Sequence, residues 1–230
     1  MRSALSAFSF VAFLAQTPTV LAGPTVLELY TSQGCSSCPP ADAMLLELAE
    51  RENIIALSLH VDYWDYLGWK DDLASPAYTA RQNGFSRAAG TRTVYTPQMI
   101  IGGRDHVIGS KPMEVVNQLN AHDLEVDPVE ITLVREGDDL RITATAEGVS
   151  GEAVVQIVRY IPRVERDIGR GENAGRTIVY ANVVYSWTNA GTWDLSAPLE
   201  MNAVLSGSEP VAVIVQDGTD GPILGAAQLR

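Results

Sequence analysis

Basic residues are scarce, histidine occurs three times and cysteine only twice: 16 Lys and Arg face 28 Asp and Glu, for a formal charge of -12 over 230 residues. A surface of that sign repels phosphate, so nucleic acid is not expected as a partner. Two cysteines and no H-x3-5-H pattern fall short of the four ligands that structural zinc requires. Neither an internal repeat nor a low-complexity tract is present. The longest apolar stretch, Phe8 to Ala15, is broken by Gln16, Thr17 and Pro18, and is shorter than the roughly 20 residues of a spanning helix. No membrane span is therefore expected in the mature chain.

What is present begins with that same stretch. Arg2, the apolar residues after it and Val20-Leu21-Ala22 read as a secretory signal over residues 1–22, with the mature chain starting at Gly23. The protein is expected to be periplasmic or secreted, where a disulfide persists. An apolar share of 46% is ample for a core, and the length suggests two modest domains.

Thr25 to Tyr30 reads as a buried strand, followed by a loop and then Cys35-Ser36-Ser37-Cys38-Pro39-Pro40. Ala41 to Glu52 reads as a helix with Met44, Leu45, Leu48 and Ala49 on one face. The apolar run from Ile54 to Val61 has the pattern of a central parallel strand. A helix from Pro76 to Ala89, a hairpin of 96–101 with 106–108 around Gly102-Gly103, and a helix from Pro112 to Ala121 complete a first domain over 23–126. Beyond Asp127-Pro128 the pattern changes to serial short strands, Val129 to Val134, Leu140 to Ala146, Ala153 to Tyr160, Thr177 to Ser186 and Val211 to Val215. These suggest an antiparallel sandwich over 127–230, interrupted by a long glycine-rich loop from Arg163 to Arg176.

Two thiols three residues apart at a helix start are placed for disulfide chemistry, because the free N–H groups and the positive dipole end favour a thiolate. Cys35, the first, would be the nucleophile. Cys38, one turn in, can attack a mixed disulfide and release the partner. Ser36 and Ser37 could hydrogen-bond the thiolate. A structural staple is the simpler reading, but so short a loop removes only roughly 2 kcal/mol of unfolded-state entropy. Copper(I) delivery through Cys35 and Cys38, with His60, is a third reading, since that ion accepts few soft ligands.

Strand, C-x-x-C, helix and then Thr96-Pro97 leading into a Gly102-Gly103 hairpin resemble the thioredoxin and glutaredoxin superfamily. The resemblance implies a thioredoxin-like first domain, a cis Thr96-Pro97 bond facing the cysteines, and protein thiols or disulfides as partners, with no organic cofactor. Three blocks, 28–42, 60–65 and 170–176, make the mature chain similar to a family of secreted bacterial proteins of unknown function with a thioredoxin-like part. The chain departs from ordinary thioredoxins in lacking a tryptophan before Cys35, in its Ser36-Ser37 pair, and in Pro39-Pro40, where Pro40 is expected to cost a backbone hydrogen bond.

Several side chains are candidates for support. His60, Asp62 and Trp64 follow the second strand at the edge where open α/β sheets place their sites. His60 or Asp62 could move protons for Cys38, or His60 could pack in the core while Asp62 caps a helix. Tyr63, Trp64, Tyr66 and Trp69 could bind a peptide or seal the segment onto the sheet. Arg170, Glu172, Asn173 and Arg176 could bind an anion, contact the first domain or form a solvated turn. The expectation is extracytoplasmic thiol–disulfide exchange by an α/β thioredoxin-like domain followed by an all-β sandwich-like domain, against a non-catalytic binding module.

Overall fold

The computed structural model describes residues 23–230, so the signal reading over 1–22 lies outside the described residues. Within them the chain is mixed α/β, strand-rich, with three α-helices. Strand β1 (Thr25–Thr31) runs parallel to β2 (Ile54–His60) in a register that sets Thr31 beside His60. Every residue of both strands is buried, in keeping with their largely apolar composition, and Glu28, Thr31, Ser58 and His60 are thereby buried polar groups. Helix α1 (Pro39–Leu48) connects them.

That helix begins two residues earlier and ends sooner than its apolar spacing suggests. Pro39 and Pro40 both lie in its first turn, where N–H groups have no intrahelical acceptor. The expected hydrogen-bond cost at Pro40 therefore does not arise. Helix α2 (Pro76–Ala88) is capped by the Ser75 hydroxyl, which accepts from the Ala77 amide. Asp62, the alternative cap, is not used there. Strands β3 (Gln98–Ile101) and β4 (Asp105–Ile108) form the expected hairpin, with Gly102 and Gly103 at φ 59° and 71°. Those angles are left-handed, which glycine adopts without penalty. Helix α3 (Pro112–His122) follows.

The remaining strands are β5 (Val129–Glu136), β6 (Asp139–Ala146), β7 (Ala153–Asp167), β8 (Thr177–Trp193), β9 (Leu199–Val204), β10 (Val211–Asp217) and β11 (Ile223–Leu229). Four of them continue the first sheet, giving the order β11-β10-β7-β8-β2-β1-β3-β4. The join is a parallel contact of Ser58 with Val183, helped by the Asn182 amide donating to the Ala56 carbonyl at 2.8 Å. Asn182 sits at φ 44°, a conformation asparagine tolerates better than most residues. The other three strands form a separate sheet, β5-β6-β9.

The large sheet is covered on both faces. Helix α2 seals one through Tyr78 and Phe85 against Val26, Leu57, Val158 and Ile214. On the other, α1 and α3 cover the β1–β4 half, and the small sheet packs Leu140, Ile142 and Ala144 on Val155, Val213 and Val215. The sandwich-like part thus borrows one of its two layers from the sheet that carries β1 and β2.

Strands β7 and β8 are far longer than expected, pairing from Ala153 with Trp193 to Asp167 with Thr177. The expected loop from Arg163 shrinks to a turn over 168–176, closed by the Gly175 amide on the Ile168 carbonyl at 2.8 Å. This two-stranded arm carries the glycine-rich turn to the cysteines.

Candidate functional site

Cys38 is the residue before the first turn of α1, and Cys35 lies three residues upstream; the two sulfurs form a disulfide with Cα atoms 5.4 Å apart. Cys38 is fully buried and Cys35 keeps 5% of its surface. Sequence order alone suggested a more open Cys35. The walls that narrow it come from four separate segments: Ser36 and Ser37, Trp64 and Leu67, Thr96, and Glu172, around a cleft of about 180 Å³.

Hydrogen bonds hold those walls. Ser37 Oγ lies 3.4 Å from Cys35 Sγ and donates to the Thr96 carbonyl at 3.5 Å. The Trp64 indole N–H donates to Thr96 Oγ1 at 2.7 Å. The Thr96–Pro97 peptide is cis, and a Cβ added at Gly109 would meet both Ala41 and Pro97 at 3.1 Å, so this bend lies directly against α1. The structure thus gathers Cys35, Cys38, Ser36, Ser37, Trp64, Thr96 and Pro97 in one place.

The glycine-rich turn walls the site through Glu172 and Asn173, while Arg170, Ala174 and Arg176 stay exposed as in a solvated turn. Asn173 is buried, and its amide donates to the carbonyls of Gln33 and Cys35, each at 2.9 Å. Ser36 N–H donates to Glu172 Oε2 at 3.3 Å. Further back, Arg166 pairs with Asp72, while the Trp69 N–H donates to Gln33 Oε1 at 2.7 Å. The aromatic segment therefore seals the cysteine loop through Trp64 and Trp69. Tyr66 alone stays open to solvent, at 76%. Replacing Asn173 by Ala should strip a donor from buried carbonyls and cost about 2 kcal/mol. Urea unfolding together with amide exchange at 33–38 checks this; unchanged exchange there would mean that Asn173 does not hold the loop.

Beneath the disulfide lies a buried polar pocket that sequence reasoning only touched. His60 Nδ1 is 2.7 Å from Asp71 Oδ2, which also accepts from the Gln33 amide at 2.8 Å. With Asp71 as acceptor, the His60 ring donates from Nδ1. Asp42 accepts from Thr31 Oγ1 at 2.8 Å, and burial pushes its carboxyl up to about 7 against the attraction of His60. Four buried atoms here have no partner among the described residues: Asp42 Oδ2, Ser58 Oγ, His60 Nε2 and Tyr180 OH. Asp62, by contrast, is taken up elsewhere, its carboxylate accepting from Thr79 Oγ1 on α2 at 2.5 Å. Asp42 was overlooked because the helical face was drawn from Met44, Leu45, Leu48 and Ala49. The buried positions are Ala41, Asp42, Leu45 and Leu48, and a carboxylate on an apolar stripe was the available signal. Among the described residues no three His, Cys, Asp or Glu side chains converge as a metal set, and no helix is long and apolar enough to cross a membrane.

The family described as "Protein of unknown function (DUF1223)" matches residues 26–216. A crystal structure of a protein from Agrobacterium tumefaciens is 35% identical, with a TM-score of 0.78 over 90% of this chain and 94% of that one. HBP35 of Porphyromonas gingivalis is similar in fold alone, at 15% identity and a TM-score of 0.64, covering 91% of this chain and 75% of that one. Among curated proteins none matches.

Proposed function

Since the chain belongs to the DUF1223 family, which brings no activity with it, we propose from its own cysteine site that it performs thiol–disulfide exchange outside the cytoplasm. The observation that carries this reading is the cleft that opens on Cys35 while Cys38 stays sealed one step deeper. In such an arrangement a partner reaches one sulfur only, and the second is protected until it is needed. The secretory reading of residues 1–22 is the reason to place the protein in an oxidising compartment.

Residues 23–126 are read as a thioredoxin-like unit. Support comes from the order β2-β1-β3-β4, with β1 and β2 parallel and β3 and β4 antiparallel, α2 on one face, and α1 and α3 on the other. Residues 127–230 are read as a second unit whose contribution to the site is the β7–β8 arm.

Opening the disulfide requires a proton for the departing Cys38 sulfur. Asp42 is four residues along α1 from Cys38, on the same helical face, and its carboxyl pKa of about 7 means that it holds a proton below that pH and exchanges it near neutrality. His60, oriented by Asp71, is a second buried titratable side chain close to Asp42. Asp62 is left out of this role, because Thr79 occupies it.

The test is equilibration of residues 23–230 in glutathione buffers, followed by thiol trapping and mass measurement. The expected result is reversible two-electron exchange, with mixed-disulfide formation lost at least 100-fold in Cys35→Ser. A disulfide that resists reduction until the protein is unfolded would identify a staple and end the proposal.

A further inference from the structure

Resting on that exchange reading, we propose that Glu172 is a specificity-determining residue that selects thiols carried on neutral or basic partners and rejects anionic ones.

An attacking thiolate must reach Cys35 Sγ, and it is Cys35, not Cys38, that lines the cleft. Its walls are Ser36, Ser37, Trp64, Leu67, Thr96 and Glu172, and of these only Glu172 is ionisable. No Lys or Arg among the described residues pairs with this carboxylate. Its one named contact is the Ser36 amide, an N–H group beside the helix start. Glu172 thus spends a donor that would otherwise favour a thiolate at Cys35, and it adds a negative charge to the approach path. Both effects oppose an anion, and the second grows with the charge on the incoming molecule.

The step is balanced without any further reagent. A thiolate RS⁻ bonds to Cys35 Sγ as the Cys35–Cys38 bond breaks, and the electron pair leaves on Cys38 sulfur, which takes a proton. A second RS⁻ attacks the R-bearing sulfur of the mixed disulfide, forming RSSR and releasing Cys35 as thiolate, which is then protonated. Two thiols are oxidised and one protein disulfide is reduced. Charge on R changes only the approach, so it appears as a rate difference between thiols of otherwise equal reactivity.

The experiment measures second-order reduction rates with cysteamine, 2-mercaptoethanol and 3-mercaptopropionate, each corrected for its thiolate fraction and intrinsic nucleophilicity. In the unmodified protein at low salt the cationic thiol should lead and the anionic one trail, with a spread of about tenfold that shrinks as salt is added. Glu172→Gln should collapse the spread, chiefly by speeding 3-mercaptopropionate, and should lower the pKa of Cys35. Glu147→Gln, an exposed change of equal charge just beyond the end of β6, should keep the spread. Equal rates for the three thiols, or a spread unaltered in Glu172→Gln, would overturn the inference while leaving exchange itself standing. If no thiol reduces the folded protein, exchange and selectivity fall together.

Discussion

Replacing Arg81 with Met should cost about 3–5 kcal/mol, because it strands a buried carboxylate. Glu28 lies fully buried in β1, and Arg81 of α2 clasps it twice, Nε to Oε2 and Nη2 to Oε1, each at 2.7 Å. Tyr30 OH donates to the same carboxylate at 2.8 Å. The guanidinium also donates to Gln216 on β10 and lies 3.9 Å over the Trp187 ring of β8. One side chain therefore ties α2 to strands from both halves of the large sheet. Such a fork matches planar guanidinium geometry and would not be reproduced by Lys. Urea unfolding monitored by tryptophan fluorescence gives the loss directly. Glu28→Gln combined with Arg81→Met removes the stranded charge and should recover a large part of it. A single Arg81→Met variant within 1 kcal/mol of the parent would show that the pair contributes little.

The second large effect concerns pH. Asp42 has a folded pKa of about 7 against an ordinary 3.8, raised first by burial. The folded state therefore binds a proton that the unfolded state has already released between those values. Stability contributed by this proton is complete below about pH 4 and is lost as pH climbs towards 7. The loss is at most about 4 kcal/mol, taking roughly three units at 1.36 kcal/mol each. Asn in place of Asp42 keeps an acceptor for Thr31 and cannot ionise. Asp42→Asn should match the parent near pH 4 and exceed it in stability at pH 8, with a flatter profile between. Parallel profiles for the two proteins would mean that Asp42 is ionised throughout and that its environment is wetter than its burial indicates.

The strands nearest the cysteines were readable because their chemistry is local. Ile54 to Val61 is apolar but for Ser58 and His60, Gly102-Gly103 marks a turn by backbone freedom alone, and Pro76 and Pro112 open helices that need no N–H at that point. β9 and β11 were passed over for an equally local reason. Met201, Asn202, Gly225, Ala226 and Ala227 have little preference for extended structure, and their strands exist because partners in β6 and β10 supply the hydrogen bonds. Nothing near Val183 announces that it will lie beside Ser58, since that pairing depends on where the whole second half of the chain comes to rest. The site divides the same way. Cys35, Cys38, Thr96 and Trp64 carry signals in their own neighbourhoods. The roles of Glu172 and Asn173 appear only when the arm brings them across, and Asp71 becomes visible only as the partner of His60 and Gln33.

The arm also imposes a schedule on the molecule's birth. Ser36 and the Glu172 carboxylate that it binds are 136 residues apart, so a ribosome adding roughly 5–20 residues per second finishes the cysteine loop about 7 to 27 seconds before it makes the screen. Throughout that interval the cysteine loop exists with no carboxylate standing over it. An oxidant that reaches the cysteines before the arm has folded over them meets no charge screen.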